Sequence, residues 1–317
     1  VISVIHTNDT LMEDAPVTLL RVEAGYTNDK GEVYDKNGVF IDFPRELGNK
    51  QRANIDPASV KRQFKQKRIG CVVQERRNYS YYHWTYETLP KLIYLSKNRK
   101  ELGVDKLYFH FGRIGHSYQR QALRRLGFSR WQILDAKRVK SLKAKEIVVV
   151  RLNESRLKPS FQLCQTIKSA FIEQPVQRPY RKIYLTRDHV KTGRKLINEF
   201  ELRELLATYG FQTVVADNLT VAAQAQLFNE SEYIVSPHGA ALANIAFCEP
   251  GTKILELFNQ ADRSTWSPLY SMIAQACKLE LVPVAPEHRD DISKSNHRSN
   301  FYADLNAIKN VFQHWRL

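Results

Sequence analysis

Four groups of residues in this chain have types and spacings that can do chemistry. The first is Ser236-Pro237-His238-Gly239-Ala240-Ala241-Leu242-Ala243-Asn244. The apolar run Tyr233-Ile234-Val235 ends at Ser236, Pro237 and His238 make a turn, and Gly239 begins a row of small residues that reads as a helix start. Small side chains let the backbone of such a helix approach a ligand. The N–H groups of its first turn, aided by the helix dipole, then attract an anion. His238 can donate to a phosphate oxygen or a hydroxyl, and Asn244 lies about one and a half turns further in. The same composition also suits a helix packed tightly on a sheet, with His238 as a plain turn residue.

The second group follows the run Ile183-Tyr184-Leu185-Thr186, which Arg187 closes and after which comes Arg194. A guanidinium at the carboxyl end of a strand can reach a diphosphate, and Arg194 can supply a second clamp. The plainer readings are a surface ion pair for Arg187 and a solvated basic face for Arg194 and Lys195. Third is Glu256, set inside Ile254-Leu255-Glu256-Leu257-Phe258. A carboxylate buried in such a strand needs a partner. Ribose hydroxyls would serve, and so would an ion pair with Arg187 or Arg194.

The fourth group lies in the first half, in Tyr81-Tyr82-His83-Trp84-Thr85-Tyr86-Glu87-Thr88-Leu89-Pro90. His83 and Glu87 share one face if the stretch is helical. A carboxylate beside an imidazole orients it and raises its basicity, which makes a base able to take a proton from a hydroxyl. An aromatic-rich helix start with a satisfied histidine is the alternative.

The elements that must position these groups are clearest from Lys182 onward. Strands are expected at 183–186, 211–216, 233–235, 253–258 and 279–284, and helices at 199–209, 220–229, 240–247 and 266–277. Gly210 stops the first of these helices and Thr220 caps the second. Alternation of this kind gives an α/β fold with a parallel sheet whose ligands bind at the carboxyl ends of the strands. The first half is less regular. Strands are expected at 69–74, 106–111 and 146–151, helices at 86–99 and 117–126, and hairpins within the turn-rich stretch 10–60. The segment Glu173 to Tyr180 carries two prolines and no periodicity, so it serves as the linker between domains 1–174 and 175–295.

A length of 317 residues suits two domains, and a hydrophobic fraction of 43% suits a globular protein. No run approaches the ~20 apolar residues of a membrane span. The opening Val1 to His6 reads as a strand and not as a secretory leader, which points to the cytoplasm. Cys71, Cys164, Cys248 and Cys277 are too scattered for a disulfide framework or a zinc site, so buried free thiols are expected. The net charge of +15 calls for an anionic partner. Its clusters, 61–68, 120–130 and 137–145, all fall in the first half. Each alone suits a solvated face, while three together favour a peripheral contact with an anionic membrane at its inner face. A nucleic-acid-binding protein is the rival reading, and no nucleic-acid module is present. Nucleotide-loop signatures of the ATPase and dehydrogenase kinds are absent as well. So is Asp-x-Asp, which favours a site that needs no metal and no cofactor and stabilises a leaving diphosphate with arginine and helix dipoles.

The block Tyr184-Leu185-Thr186-Arg187, Arg194, Asn198-Glu199, Gln224, Phe228, Ser236 to Asn244 and Glu256-Leu257 resembles the carboxyl-terminal signature of glycosyltransferase family 61. His83-Trp84, Glu87 and Pro90 follow that family more loosely. The resemblance implies a GT-B architecture of two Rossmann-like domains with parallel sheets facing a cleft, and transfer with inversion. It also implies a donor, usually a UDP-sugar, held in the carboxyl-terminal domain, with Arg187, His238, Gly239 and Ala240 at the nucleotide or its diphosphate. The acceptor, a glycan or glycolipid of the capsule or lipopolysaccharide kind, and the base, Glu87 or His83, would belong to the first domain. The last helix, about 302–315 within the segment 296–317, would cross back to it. A sugar-nucleotide-binding protein without catalysis is the remaining alternative.

Overall fold

The computed structural model describes residues 2–7, 17–41, 53–72, 80–109, 117–152, 159–190, 195–259, 268–287 and 300–317. The chain divides into two compact units, Val1–Ala170 and Phe171–Leu317. The division falls just before the proline-bearing stretch 173–180.

The first unit carries one sheet of eight strands among the described residues: β1 (Ile2–Thr7), β2 (Val17–Glu23), β3 (Tyr26–Asn28), β4 (Val33–Tyr34), β5 (Arg62–Val72), β6 (Lys106–Phe109), β7 (Ile133–Asp135) and β8 (Ser141–Leu152). Strands β8, β5, β6 and β7 run parallel in that order. This part of the sheet is parallel, as expected, whereas β1, β2, β3 and β4 add on antiparallel, with β3 and β4 forming a hairpin inside the turn-rich stretch 10–60. Their connections explain the difference. A parallel crossover needs a dozen or more residues, whereas β3 turns into β4 within 29–32. There the Asn28 Oδ1 accepts the N–H groups of Lys30 and Glu32, and Gly31 supplies a φ of 76°. Ile147, Val148, Val149 and Val150 of β8 are all fully buried, the continuous apolar run of a sheet covered on both faces.

Helices α1 (Tyr81–His83), α2 (Leu89–Lys97), α3 (Ser117–Arg125) and α4 (Phe161–Phe171) complete this part of the chain. A π-helical stretch, Trp84–Thr88, joins α1 to α2. The expected helix at 86–99 therefore begins earlier and is widened in the middle. Pro90 supplies the reason: it has no N–H to offer the Tyr86 carbonyl, and its ring crowds that carbonyl, so the turn opens. The Thr85 hydroxyl bonds back to the Tyr81 carbonyl at 2.8 Å, a contact that also bends helices.

The second unit alternates β9 (Arg181–Leu185), α5 (Glu199–Thr208), β10 (Gln212–Val214), α6 (Val221–Asn229), β11 (Ser231–Pro237), β12 (Lys253–Leu257), α7 (Leu269–Ala276), β13 (Glu280–Val284) and α8 (Leu305–Trp315). Its five strands are all parallel, in the order β10-β9-β11-β12-β13. Numbered within the unit this reads 2-1-3-4-5, a doubly wound sheet. The order reverses between β9 and β11, and in such sheets ligands bind beyond the strand ends at that switch point. Gly210, at φ 81°, ends α5, and the Thr220 hydroxyl caps α6 by accepting from the Ala223 N–H.

The buried face of α8 belongs to the core of the second unit. Ile308, Phe312 and Trp315, at helical spacing, are all nearly inaccessible and share one core with Tyr184, Leu206 and Leu255. The Phe312 ring stacks on Phe211 with centroids 5.4 Å apart, and the Trp315 indole donates to Glu280. Asn198 holds the incoming strand by exchanging two hydrogen bonds with the backbone of Ala303. Phe312→Ala is expected to cost about 3–5 kcal/mol, as for other buried phenylalanines. Urea unfolding measures this, and a loss below about 1 kcal/mol would remove α8 from the core. Among the described residues no helix is long and apolar enough to cross a membrane.

Candidate active site

At the carboxyl end of β9 the backbone is held by a buried acid. Glu199, the first residue of α5, accepts hydrogen bonds from the Tyr184 and Thr186 hydroxyls and from the Arg203 guanidinium. Arg203 also donates to the Thr186 hydroxyl, which in turn accepts the Asp188 N–H. Burial first, then the charge of Glu199, holds the Tyr184 hydroxyl well above the usual phenol range, so it stays a donor. The Glu199–Arg203 pair follows from their spacing of four on α5, but the sequence gives no sign of the rest of this network, because Tyr184 and Thr186 meet Glu199 only when α5 folds back on β9.

Arg187 leaves this fixed strand end and lies against the turn after β11. A Cβ built on Gly239 would stand 2.3 Å from the Arg187 Nη1. Gly239 is extended, with φ near 180°, so its backbone accepts any residue. What requires a glycine is the guanidinium that occupies the place of a side chain. Arg187 and Gly239 thus meet at the switch point of the sheet. The chain continues as a 3-10 helix, Ala240–Phe247, where an α-helical start is the usual form of such an anion site. Ala240 at its head is half-buried.

His238 stands beside Gly239. Its Nδ1 lies 2.6 Å from the Glu256 Oε1, and its ring is flanked by Phe258 and Tyr270 with centroids 5.2 and 5.3 Å away. The Tyr270 hydroxyl donates to the Gly239 carbonyl at 2.7 Å. Parallel register explains the acid–imidazole pair: Ser236 faces Glu256 across β11 and β12, and the His238 N–H is bonded to the Leu257 carbonyl. Among the described residues the partner of Glu256 is His238 and not Arg187. Its carboxylate is 2% exposed and orients His238, leaving the Nε2 of that ring as its outward nitrogen. Asn244 is fully buried and donates to Gln224 of α6 at 2.7 Å, so it ties the 3-10 helix to its neighbour. Arg194 lies outside the described residues.

Burial holds the Glu256 carboxyl above its ordinary range, and His238 draws it only part of the way back. A carboxyl raised in the folded state binds more protons there than in the unfolded chain. Its contribution to stability is therefore complete below the unfolded value of about 4.3 and is lost as pH rises through the folded value. Glu256→Gln is expected to remove that decline. Urea unfolding across pH 4–8 should show wild type losing stability relative to the variant over this window, and parallel curves would contradict the assignment.

In the first unit, the π-helical stretch carries a second acid–imidazole pair. The Nδ1 of His83 lies 2.6 Å from the Glu87 Oε1. The other oxygen, Oε2, is buried and has no hydrogen-bond partner among the described residues, and the same holds for the Thr88 Oγ1. A buried carboxylate oxygen left open is costly, and native structures keep few such groups without a functional reason. Trp84 packs on Phe109 and Tyr118, and Tyr82 sets its ring edge-on to His83. Burial, then the charge of Glu87, pushes the Tyr82 hydroxyl well above the phenol range. Tyr82 was not singled out from sequence, since its run of aromatics looks like ordinary core.

Two further points bound the chemistry. Among the described residues no group of three His, Cys, Asp or Glu could hold a metal ion. All four cysteines are buried and free, and burial pushes the Cys71 thiol up to about 11, which keeps it protonated at neutral pH.

Compared with known families, residues 81–255 match the family model described as glycosyltransferase 61. The matched span covers more than half of the chain. It opens at the first residue of α1 and closes one residue before Glu256, so it contains His83, Glu87, Arg187, His238 and Gly239. No curated protein matches the chain.

Proposed function

Because this chain belongs to glycosyltransferase family 61, and is therefore a sugar-transferring enzyme, we propose that it moves a sugar from a UDP-sugar to a glycan or glycolipid hydroxyl with inversion and without a metal. The observation that carries the donor half is Arg187 seated against Gly239 at the sheet's switch point. A guanidinium there, beside His238 and the amides that follow it, suits the diphosphate of a nucleotide. Glu256 acts through His238 as a positioning residue.

In this reading the architecture is GT-B, with donor chemistry in the second unit and acceptor chemistry in the first. The base is Glu87 through its open Oε2, or His83 oriented by Glu87. It takes the proton of the acceptor hydroxyl while that oxygen forms a bond to the anomeric carbon. The bond from that carbon to the diphosphate breaks, its electron pair leaves on the phosphate oxygen, and Arg187 with the neighbouring amides stabilises the charge. A glycan of the capsule or lipopolysaccharide kind, built on the cytoplasmic side, suits the chain.

A thermal-shift panel of nucleotides tests the donor half, since a ligand that binds only the folded state raises the melting temperature. UDP is expected to raise it, with CMP and GDP without effect, and transfer is expected to persist in EDTA. A shift with GDP alone would replace the nucleotide, and activity abolished by EDTA would remove the metal-free mechanism.

A further inference from the structure

The net charge of +15 is not spread over the molecule. The first unit, 1–170, holds 32 lysines and arginines against 17 aspartates and glutamates, while the second, 171–317, holds 16 against 16. The unit assigned to the nucleotide is thus neutral, and the basic excess must answer to something other than the donor.

Part of that excess is gathered around one cavity of about 460 Å³ in the first unit, lined by Arg120, Arg124, Arg130 and Arg138. One carboxylate, Asp135, shares the lining. Buried Phe128 and half-buried Ile133 add apolar surface, and Trp131, which also lines it, is 76% exposed. Local structure brings these residues together. Arg120 and Arg124 are four apart on α3 and so share a face. Arg130 and Trp131 sit in a 3-10 turn closed by a capping box between Ser129 and Gln132. The Trp131 carbonyl is held by Lys106, and the Arg130 guanidinium lies over the indole at 4.9 Å. Arg138 is set by a turn in which its N–H donates to the Asp135 carbonyl. The backbone is well anchored while the charged ends face solvent.

Arginine, rather than lysine, in all four places suits the paired oxygens of a phosphate. An exposed indole among basic side chains is the pattern of a surface seated at the headgroup level of a bilayer, with the aromatic ring at the interface and the cations on anionic phosphates. We infer that this arginine-lined cavity and Trp131 form a docking surface for an anionic lipid membrane, with a headgroup phosphate in the cavity. None of its lining residues is among those placed in sugar transfer, and its test reads binding alone, so it stands or falls independently of the donor and acceptor assignments.

The test is sedimentation with vesicles of phosphatidylglycerol in phosphatidylcholine, against vesicles of phosphatidylcholine alone. Wild type is expected to bind only the anionic vesicles and to be released by salt. The triple variant Arg120→Gln/Arg124→Gln/Arg138→Gln should bind roughly a hundredfold more weakly, about fivefold for each charge removed. Its melting temperature should match wild type, since all three side chains are exposed. With brominated lipid, the tryptophan quenching seen in wild type should fall in Trp131→Phe. Undiminished binding of the triple variant, or unchanged quenching in Trp131→Phe, would overturn the assignment. So would arginine-dependent binding of a phosphorylated oligosaccharide in a protein that ignores vesicles, which would make the cavity an acidic-acceptor site.

Discussion

Glu87→Gln is expected to lower kcat by about 10²–10⁴-fold, the range that a positioned acid or base contributes. The change is isosteric and removes only the charge from a side chain whose Oε1 already has a partner in His83. Glu87 lies in the first unit, so the UDP-induced rise in melting temperature should be kept. That combination separates an enzyme that has lost its base from one that has lost its fold or its donor site. His83→Gln, measured beside it, separates the two candidate bases. If the open Oε2 takes the proton, the histidine variant retains more activity than the glutamate variant; if His83 Nε2 takes it, the order reverses. A Glu87→Gln enzyme that turns over at the wild-type rate would end the proposal that this pair is the base.

Arg187→Ala should lower kcat/KM by about 10²–10³-fold, the effect of removing one donor aimed at developing charge, and should shrink the UDP thermal shift. Gly239→Ala is expected to approach the same loss by a different route. The new methyl group would stand 2.3 Å from the Arg187 Nη1, at the far end of a flexible side chain that can swing away. The fold therefore tolerates the change, and the melting temperature should stay close to wild type, while the guanidinium leaves its place. The double variant distinguishes this from two separate injuries. Residues that act through one contact are not additive, so Arg187→Ala/Gly239→Ala should be no worse than Arg187→Ala alone. Losses that multiply would mean that Gly239 matters for some reason other than the seat of Arg187.

Local pattern was enough to read the second unit as alternating strands and helices. The apolar runs at 183–185, 233–235 and 253–257, the Thr220 cap and the Gly210 stop are all signals carried within a few residues, and each forms where it was expected. The family signature is likewise a matter of residue type and spacing, and the family model covers the span that bears it up to Leu255, short of Glu256 and Leu257. The His83–Glu87 pair was legible because four residues along a helix bring two side chains to one face.

Contacts between distant elements decided the rest. Glu256 belongs to His238 because parallel register sets β12 beside β11, and nothing near either residue announces the other. The same neighbourhood buries Asn244 against α6, a contact that its place after the glycine does not announce. Gly239 owes its identity to Arg187, which arrives from an earlier strand made adjacent by the sheet order. That order, with its reversal between β9 and β11, is a property of packing, since the sequence lists strands only in the order they are made. What the sequence by itself determined was the chemical inventory and the local elements. Which acid serves which histidine, and where the arginine points, were settled by the tertiary fold, because strand pairing brings together residues whose separation along the chain carries no periodic signal.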